Sequence, residues 1–134
     1  MFEWHGWASI RGNFTVDDDE GAEREDLERR RAVERLLADQ PYVGNEIVDI
    51  RYVNGACHVW LAGGHNHRST GPIGLFRAIS ASAPGSYGIM YCFDHDHIDE
   101  PWQRWVMRRG HVHLEQDTSL SPHIGLVEDA DDRR

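Results

Sequence analysis

The chain contains no lysine, only two cysteines and no long apolar run. All 14 basic residues are therefore arginine, and a phosphate-binding loop of the GxxxxGK type, which needs a lysine, is excluded. No stretch approaches the roughly 20 apolar residues that a membrane-spanning helix needs. The two cysteines, Cys57 and Cys92, lie inside apolar stretches, and we expect no secretion signal ahead of them. We therefore expect both to be buried, reduced thiols.

Motifs that carry hydrolytic chemistry are missing as well. The sequence has no Gly-X-Ser-X-Gly, no His-Glu-X-X-His and no Cys-X-X-Cys. The usual sequence motifs of a serine nucleophile and of a zinc site are therefore missing. Cys57 and His58 are neighbours, but adjacent residues on a strand point to opposite faces, which makes them a poor catalytic pair. The sequence therefore indicates neither an enzymatic activity nor a cofactor.

What the sequence has in excess is negative charge. It carries 23 acidic residues against 14 basic ones, and its formal net charge is −9. A domain with this charge repels nucleic acid phosphates and anionic membranes, and it favours a basic protein as its partner. With 134 residues, of which 40% are apolar, the chain is long enough for one hydrophobic core between two layers.

The apolar pattern predicts an α+β fold in one domain over residues 1–127, followed by an acidic tail over residues 128–134 that frays in solvent. Alternation predicts strands, helical spacing predicts two helices, and the pairs Asn54-Gly55 and Arg109-Gly110 predict hairpin turns. We expect a mostly antiparallel sheet of about five to six strands with two helices packed on one face, a two-layer sandwich. The predicted strands are residues 2–10, 46–53, 56–62, 87–93, 102–108 and 111–116, the predicted helices are residues 20–39 and a segment that Ser69 or Thr70 caps, and residues 63–68 form a loop.

The first predicted strand begins almost at the first residue, which leaves no room for a signal peptide, so we expect a cytoplasmic protein. Phe2, Trp4 and Ile10 share one face of this strand, and Trp7 lies on the other. The other tryptophans are assigned to the core and the sheet faces, where aromatic residues usually pack. An exposed Trp7, together with Trp102, is typical of an anchor for a protein partner, unless both faces of the strand are covered.

Acidic residues are concentrated in two stretches, one at the start of the first helix and one in the loop after the fourth predicted strand. Carboxylates at a helix start are favoured by the helix dipole, so a solvated helix end explains the first stretch as well as a binding surface does. The binding interpretation is a docking surface for a basic protein, which the second stretch extends if the fold brings the two together. The candidate binding residues are Asp17, Asp18, Asp19, Glu20 and Glu23 in the first stretch, Asp94, Asp96, Asp99 and Glu100 in the second, and the two tryptophans Trp7 and Trp102.

Histidines recur at a spacing of two residues. Two imidazoles at that spacing on a strand can reach one metal ion, and a carboxylate can complete the set. The alternative function is therefore a small metal-dependent hydrolase that uses the loop 94–99 and the predicted last strand, although paired surface histidines are the commoner outcome. The candidate ligands are His95, His97, His111 and His113.

Several short segments, taken in order along the chain, resemble the Immunity protein 7 family of bacterial polymorphic toxin systems. They are Phe-Glu-Trp-His-Gly-Trp-Ala from Phe2, Gly85-Ser86-Tyr87-Gly88 before an apolar strand, Trp102 and Trp105 ahead of Arg109-Gly110, and Leu120-Ser121-Pro122. The resemblance implies an α+β protein that binds and neutralises a cognate toxin domain and catalyses no reaction. After Pro122, His123-Ile124-Gly125 replaces a stretch that contains cysteine in the usual pattern. An interaction domain without a toxin partner is the remaining alternative.

Overall fold

A computed structural model of the chain describes residues 1–13, 20–40 and 46–121. The described residues form six strands and two helices. In chain order these are β1 (Phe2–Ile10), α1 (Glu20–Ala38), β2 (Glu46–Val53), β3 (Ala56–His65), α2 (Gly71–Ser82), β4 (Tyr87–Asp94), β5 (Gln103–Arg108) and β6 (His111–Gln116).

All six strands lie in one antiparallel sheet, in the order β2-β3-β1-β4-β5-β6. The strand at the start of the chain is therefore central, since it pairs with β3 on one side and with β4 on the other. Both helices contribute to the core on one face of this sheet. The predicted α+β two-layer fold is thus confirmed, whereas the proposed acidic tail over residues 128–134 lies outside the described residues.

The core lies between the helices and one face of the sheet because side chains alternate along each strand. Phe2, Trp4 and Ala8 of β1 are buried on that face. From the helices, the side chains of Val33 and Phe76 are fully buried against them. Burying one such large apolar side chain contributes about 1.5–3 kcal/mol. The core thus holds the central strands and both helices in fixed relative positions.

Two tight turns connect the hairpins, as predicted. Asn54 and Gly55 join β2 to β3, and Arg109 and Gly110 join β5 to β6. All four residues have positive φ angles between 50° and 80°, the combination that two-residue hairpin turns need in order to match the twist of their strands. Glycine adopts this conformation without strain, which explains its place at the second position of both turns.

Strand β3 is longer than predicted. The sequence predicts that the strand ends at residue 62 and that residues 63–68 form a loop, but pairing with β1 continues to His65, which lies opposite Phe2. One of the glycines that indicated a loop, Gly63, is required inside the strand. A Cβ atom on Gly63 would lie 2.3 Å from the indole of Trp4, so the ring of Trp4 packs against the strand only because Gly63 has no side chain.

Smaller differences occur at other element ends. Helix α1 ends at Ala38 rather than at residue 39, β4 continues to Asp94, and β5 begins at Gln103 rather than at Trp102. Leu27 in the first half of α1 is 39% exposed, and the buried residues of this helix come from its second half. The first half of α1 therefore presents mainly polar side chains to solvent.

Candidate functional site

The first acidic stretch lies at the N-terminal end of α1, where Glu20 and Glu23 are exposed. Farther along the helix, the carboxylate of Asp26 accepts a hydrogen bond from the backbone amide of Gly12 and forms an ion pair with Arg30 at 2.8 Å. These contacts attach the helix to the end of β1. Glu20 and Glu23 therefore present their charges outward at the positive end of the helix dipole. The predicted Asp17, Asp18 and Asp19 lie outside the described residues.

Asp94, predicted to be part of an exposed acidic loop, is instead the buried last residue of β4. Its carboxylate accepts hydrogen bonds from Nε of Arg68 at 2.9 Å and from the backbone amide of Asp96 at 3.0 Å. The ring nitrogen Nδ1 of His97 lies 3.1 Å from the same carboxylate. Asp94 thus connects the end of β4 to the segment between β3 and α2, and little of its charge is accessible to a partner.

The environment of Asp94 shifts its pKa downward. Burial alone would raise the pKa of this carboxyl, but the Asp96 amide, the Arg68 guanidinium and the His97 ring all stabilise the ionised form, and together they lower the pKa below its ordinary value of 3.8. Because the unfolded chain binds a proton at higher pH than the folded protein does, Asp94 stabilises the fold above about pH 4. This contribution is lost as pH falls through the lower pKa of the folded state.

We expect Asp94→Asn to lower the free energy of unfolding by about 1–3 kcal/mol at pH 7, since a buried charge-assisted contact is lost. The difference from the wild type should shrink as the pH falls below about 4, where the stabilisation by the ionised carboxyl decreases. Urea unfolding between pH 7 and pH 3 measures both effects. Asp99→Asn, a change of the same charge at an exposed position, serves as the control. Parallel pH curves for Asp94→Asn and the wild type would contradict the role assigned to Asp94.

The rest of the second acidic stretch is exposed. Asp96, Asp99 and Glu100 all lie at the surface between β4 and β5. Asp96 lies 3.6 Å from the N-terminal ammonium group, and Glu100 forms an ion pair with Arg68. We call this segment, residues 95–100, the acidic loop.

The two acidic stretches do not form one surface. The acidic loop lies at the start of β1, where the amide of His95 donates a hydrogen bond to the carbonyl of Met1. The start of α1 lies at the other end of the same strand, beside Gly12. A strand of nine residues spans about 26 Å, so the second stretch does not extend the first among the described residues. A single partner would have to contact both ends of β1 in order to bind both acidic stretches.

The two candidate tryptophans differ in exposure. Trp7 is 41% exposed on the face of the sheet that is opposite the helices. Trp102 is only 7% exposed, because the chain folds back before β5 and stacks its ring on Phe93 at a centroid distance of 4.8 Å. The expectation that Trp102 is an exposed anchor is therefore wrong. Trp102 covers one end of the sheet, and Trp7 remains accessible.

The histidines proposed as metal ligands do not come together. His95 and His97 precede β5, whereas His111 pairs with Arg108 at the opposite end of that strand. Most of them contact a carboxylate instead: His95 lies 2.6 Å from Glu3, His97 contacts Asp94, and His113 lies 2.8 Å from Glu115. Within the described parts of the chain, no group of three or more histidine, cysteine or acidic residues is arranged to hold a metal ion.

A cavity of about 670 Å³ lies between the first half of α1 and the ends of β1 and β3. It is lined by Asp26, Arg30, Cys57 and His58, among others. Asp26 and Arg30 pair with each other, and the Nδ1 atom of His58 lies 2.8 Å from the hydroxyl of Ser9. Burial raises the pKa of the Cys57 thiol, and a protonated thiol is a weak nucleophile. The thiol of Cys57, among the described residues that line this cavity, is therefore not an activated nucleophile.

Two exposed aromatic residues on the same face of the sheet as Trp7 were not among the candidates. Trp60 is 42% exposed and Tyr87 is 46% exposed, and the sequence predicts Trp60 only as one of the tryptophans of the core and the sheet faces. Alternation along β3 does predict that Trp60 lies on one face of the sheet and that its buried neighbours Val59 and Leu61 lie on the other face. What the sequence does not contain is the information that both helices cover the same face and leave Trp60 accessible.

Comparison with known families decides the relationship. The family model described as Immunity protein 7 matches residues 1–129 of the chain. The chain belongs to the Immunity protein 7 family. This match spans all described strands and helices, and it confirms the resemblance seen in the segments around Trp4, Tyr87 and Trp102. Comparisons with curated proteins and with solved structures give no match.

Membership of the Immunity protein 7 family gives this chain a role in toxin immunity. The family is generally non-enzymatic, and its function implies a toxin as partner. Neither described helix of this Immunity protein 7 member is long and apolar enough to cross a membrane. The surfaces that remain to be explained are the exposed carboxylates and the accessible aromatic residues of the sheet.

Proposed function

We propose that this chain is a non-enzymatic immunity protein that binds one cognate toxin domain of a bacterial polymorphic toxin system and thereby neutralises it. The observation that carries the proposal is the family match over residues 1–129. In this proposal the protein acts in the cytoplasm of the cell that makes it, as one domain over residues 1–127, and needs no cofactor.

The state of the two cysteines gives no support to covalent catalysis by a thiol. Both are buried free thiols. Burial raises the pKa of Cys92 to about 12 and also raises the pKa of Cys57. Both side chains are therefore protonated at neutral pH and poorly suited to covalent catalysis. The histidine pairs with Glu3, Asp94 and Glu115 likewise have a structural explanation that does not require a metal.

The toxin domain is, in this proposal, basic, because the chain carries a net charge of −9. Exposed carboxylates speed the encounter with a cationic protein, and their effect weakens with salt. The proposed contributors are Glu20 and Glu23 at the start of α1, Asp96, Asp99 and Glu100 in the acidic loop, and Asp17, Asp18 and Asp19, together with Trp7 as an apolar contact. Asp94 and Trp102 support this surface from inside the fold.

We expect co-expression of this chain to restore growth of a bacterial host that is poisoned by the toxin domain encoded next to its gene. In the purified pair, Glu20→Gln combined with Glu23→Gln should slow association about threefold or more at low ionic strength, since two carboxylates are lost from the encounter surface. The loss should shrink at high salt, where such charges are screened. Stopped-flow or surface plasmon resonance measurements give the association rate constant at each salt concentration.

The control variant for this experiment is Asp39→Asn, which removes one carboxylate near the C-terminal end of the same helix. It should change the association rate less per charge than the two substitutions at the helix start. Failure of the wild-type protein to rescue growth or to bind the neighbouring toxin domain would argue against the proposed function as a whole. Equal effects of all three substitutions would instead indicate that only the total charge matters.

A further inference from the structure

The face of the sheet opposite the helices, which we call the open face, presents a row of apolar side chains. Trp7 of β1 lies directly opposite Trp60 of β3, and on its other side it lies opposite Ile89 of β4. Ile89 in turn lies opposite Val106 of β5. Because paired residues point to the same face, these four side chains form one continuous row across four strands. Tyr87 widens the row, since its ring meets that of Trp7 edge-on at 6.1 Å.

The aromatic residues of this row are partly exposed, between 41% and 46% for Trp7, Trp60 and Tyr87. Single exposed apolar residues are common on protein surfaces, but a contiguous aromatic cluster is typical of a binding surface. No described residue of the helices covers this face, because the buried helical side chains belong to the core on the other side. Among the described residues, the row is therefore left uncovered and available to a partner.

The charges on the open face balance one another. Its strands carry three acidic residues and three arginines on this side, Glu3, Asp49 and Glu115 against Arg51, Arg104 and Arg108. Asp49 pairs with Arg51 at 2.8 Å, and Glu115 pairs with Arg104 at 3.1 Å. The formal charge of these six residues is zero, in a chain whose net charge is −9. An aromatic centre that is poor in unpaired charge is the composition of protein interface cores.

The two ends of the open face have opposite charge. The acidic loop lies where β1 begins, with Glu3 beside it. At the other end lie Arg108 and Arg109, at the turn between β5 and β6. A complementary partner therefore has an apolar patch with basic residues on the side that faces the acidic loop and acidic residues on the side that faces the arginines. This arrangement gives the partner one preferred orientation along β1.

We infer that the toxin domain docks on the open face, with Trp7 and Trp60 as its central anchors and the two charged ends setting its orientation. This inference rests on the proposed function and assigns it to one surface. The carboxylates at the start of α1 lie on the helical side of the sheet and contribute to the encounter rather than to the docked contact.

The test uses the toxin domain that is encoded next to the gene. This domain is first purified as a complex with the tagged wild-type protein. It is then separated from that protein in denaturant and refolded. Trp7→Ala and Trp60→Ala should each weaken its binding about 30-fold or more, with the change mainly in the dissociation rate, as expected for central anchors. Trp60→Glu, which places a charge in the row, should weaken binding at least as much. Surface plasmon resonance gives both rate constants.

Matched controls come from exposed leucines outside the open face. Leu27 of α1 and Leu114 of β6 are 39% and 50% exposed, similar to the two tryptophans, and Leu27→Ala and Leu114→Ala should bind as the wild type does. Thermal unfolding of each variant shows whether it is folded. If Trp7→Ala fails to fold, the two substitutions of Trp60, which lies at the surface of β3, still decide the question.

The outcomes separate the inference from the proposed function. Weaker binding by the tryptophan variants with unchanged leucine controls supports the open face as the docking surface. Wild-type binding that none of the tryptophan variants alters overturns the inference and leaves the proposed function standing. A wild-type dimer that Trp60→Glu dissociates while toxin affinity is unchanged assigns the face to a second copy, which also overturns it. Absence of wild-type binding overturns both.

Discussion

Gly88→Ala is expected to destabilise the fold more than any substitution on its surface. A Cβ atom at this position would lie 2.0 Å from the carbonyl oxygen of Trp7 and 2.8 Å from the Cα atom of Ala8. Both are backbone atoms of β1, so no side-chain rotation can relieve the overlap. Because β1 and β4 are the central pair of the sheet, the strands must separate in the middle of the fold. We expect a loss of at least about 3 kcal/mol, a large fraction of the 5–15 kcal/mol typical of a whole domain.

The matched control is Gly74→Ala, the same substitution in helix α2. A Cβ atom at this position would have no neighbouring atom of the described residues within 4 Å, and alanine favours a helix over glycine by about 1 kcal/mol. Gly74→Ala should therefore raise the free energy of unfolding, whereas Gly88→Ala should lower it or leave the protein insoluble. Urea unfolding followed by tryptophan fluorescence measures both. A Gly88→Ala variant as stable as the wild type would show that β1 and β4 have room to shift.

The parts of the fold that depend on neighbouring residues could be predicted from the sequence. The hairpin turns at Asn54-Gly55 and Arg109-Gly110 were predicted because glycine, and asparagine in the first of them, favour a positive φ angle locally. The two helices were predicted because their apolar residues recur at helical spacing. The order of the strands could not be predicted from the sequence, because the position of β1 between β3 and β4 depends on contacts between residues far apart in the chain.

The same distinction explains the candidate site. The exposure of Trp7 followed from alternation along one strand once one face is covered. The burial of Asp94 depends on Arg68, which reaches it from the segment after β3, and no local sequence pattern predicts that contact. Likewise, the two acidic stretches are both visible in the sequence, but only the pairing of β1 shows that they lie at opposite ends of a strand. Composition therefore predicted an acidic chain and not the distribution of its charge.

Trp102→Ala is expected to cause the other large loss, about 3–5 kcal/mol in the free energy of unfolding, which is typical of a buried tryptophan. The indole is 7% exposed, stacks on Phe93 and meets the ring of Tyr91 edge-on at 6.4 Å. Trp102→Phe should lose less than half as much, because it keeps an aromatic ring and removes a buried indole N–H for which the described part of the chain supplies no acceptor. Urea unfolding of the two variants measures both losses.

Trp60→Ala is the comparison that separates a structural tryptophan from a binding one. Trp60 is 42% exposed, so its removal should cost about 1 kcal/mol of stability or less, while toxin binding falls in the manner expected of an interface anchor. Trp102→Ala should have the opposite effects. It should unfold at a much lower urea concentration than the wild type, and the protein that remains folded at low temperature should bind the toxin domain with an affinity close to that of the wild type. A stable Trp102→Ala variant that no longer binds would return Trp102 to the interface and would require the segment between β4 and β5 to open when the partner docks.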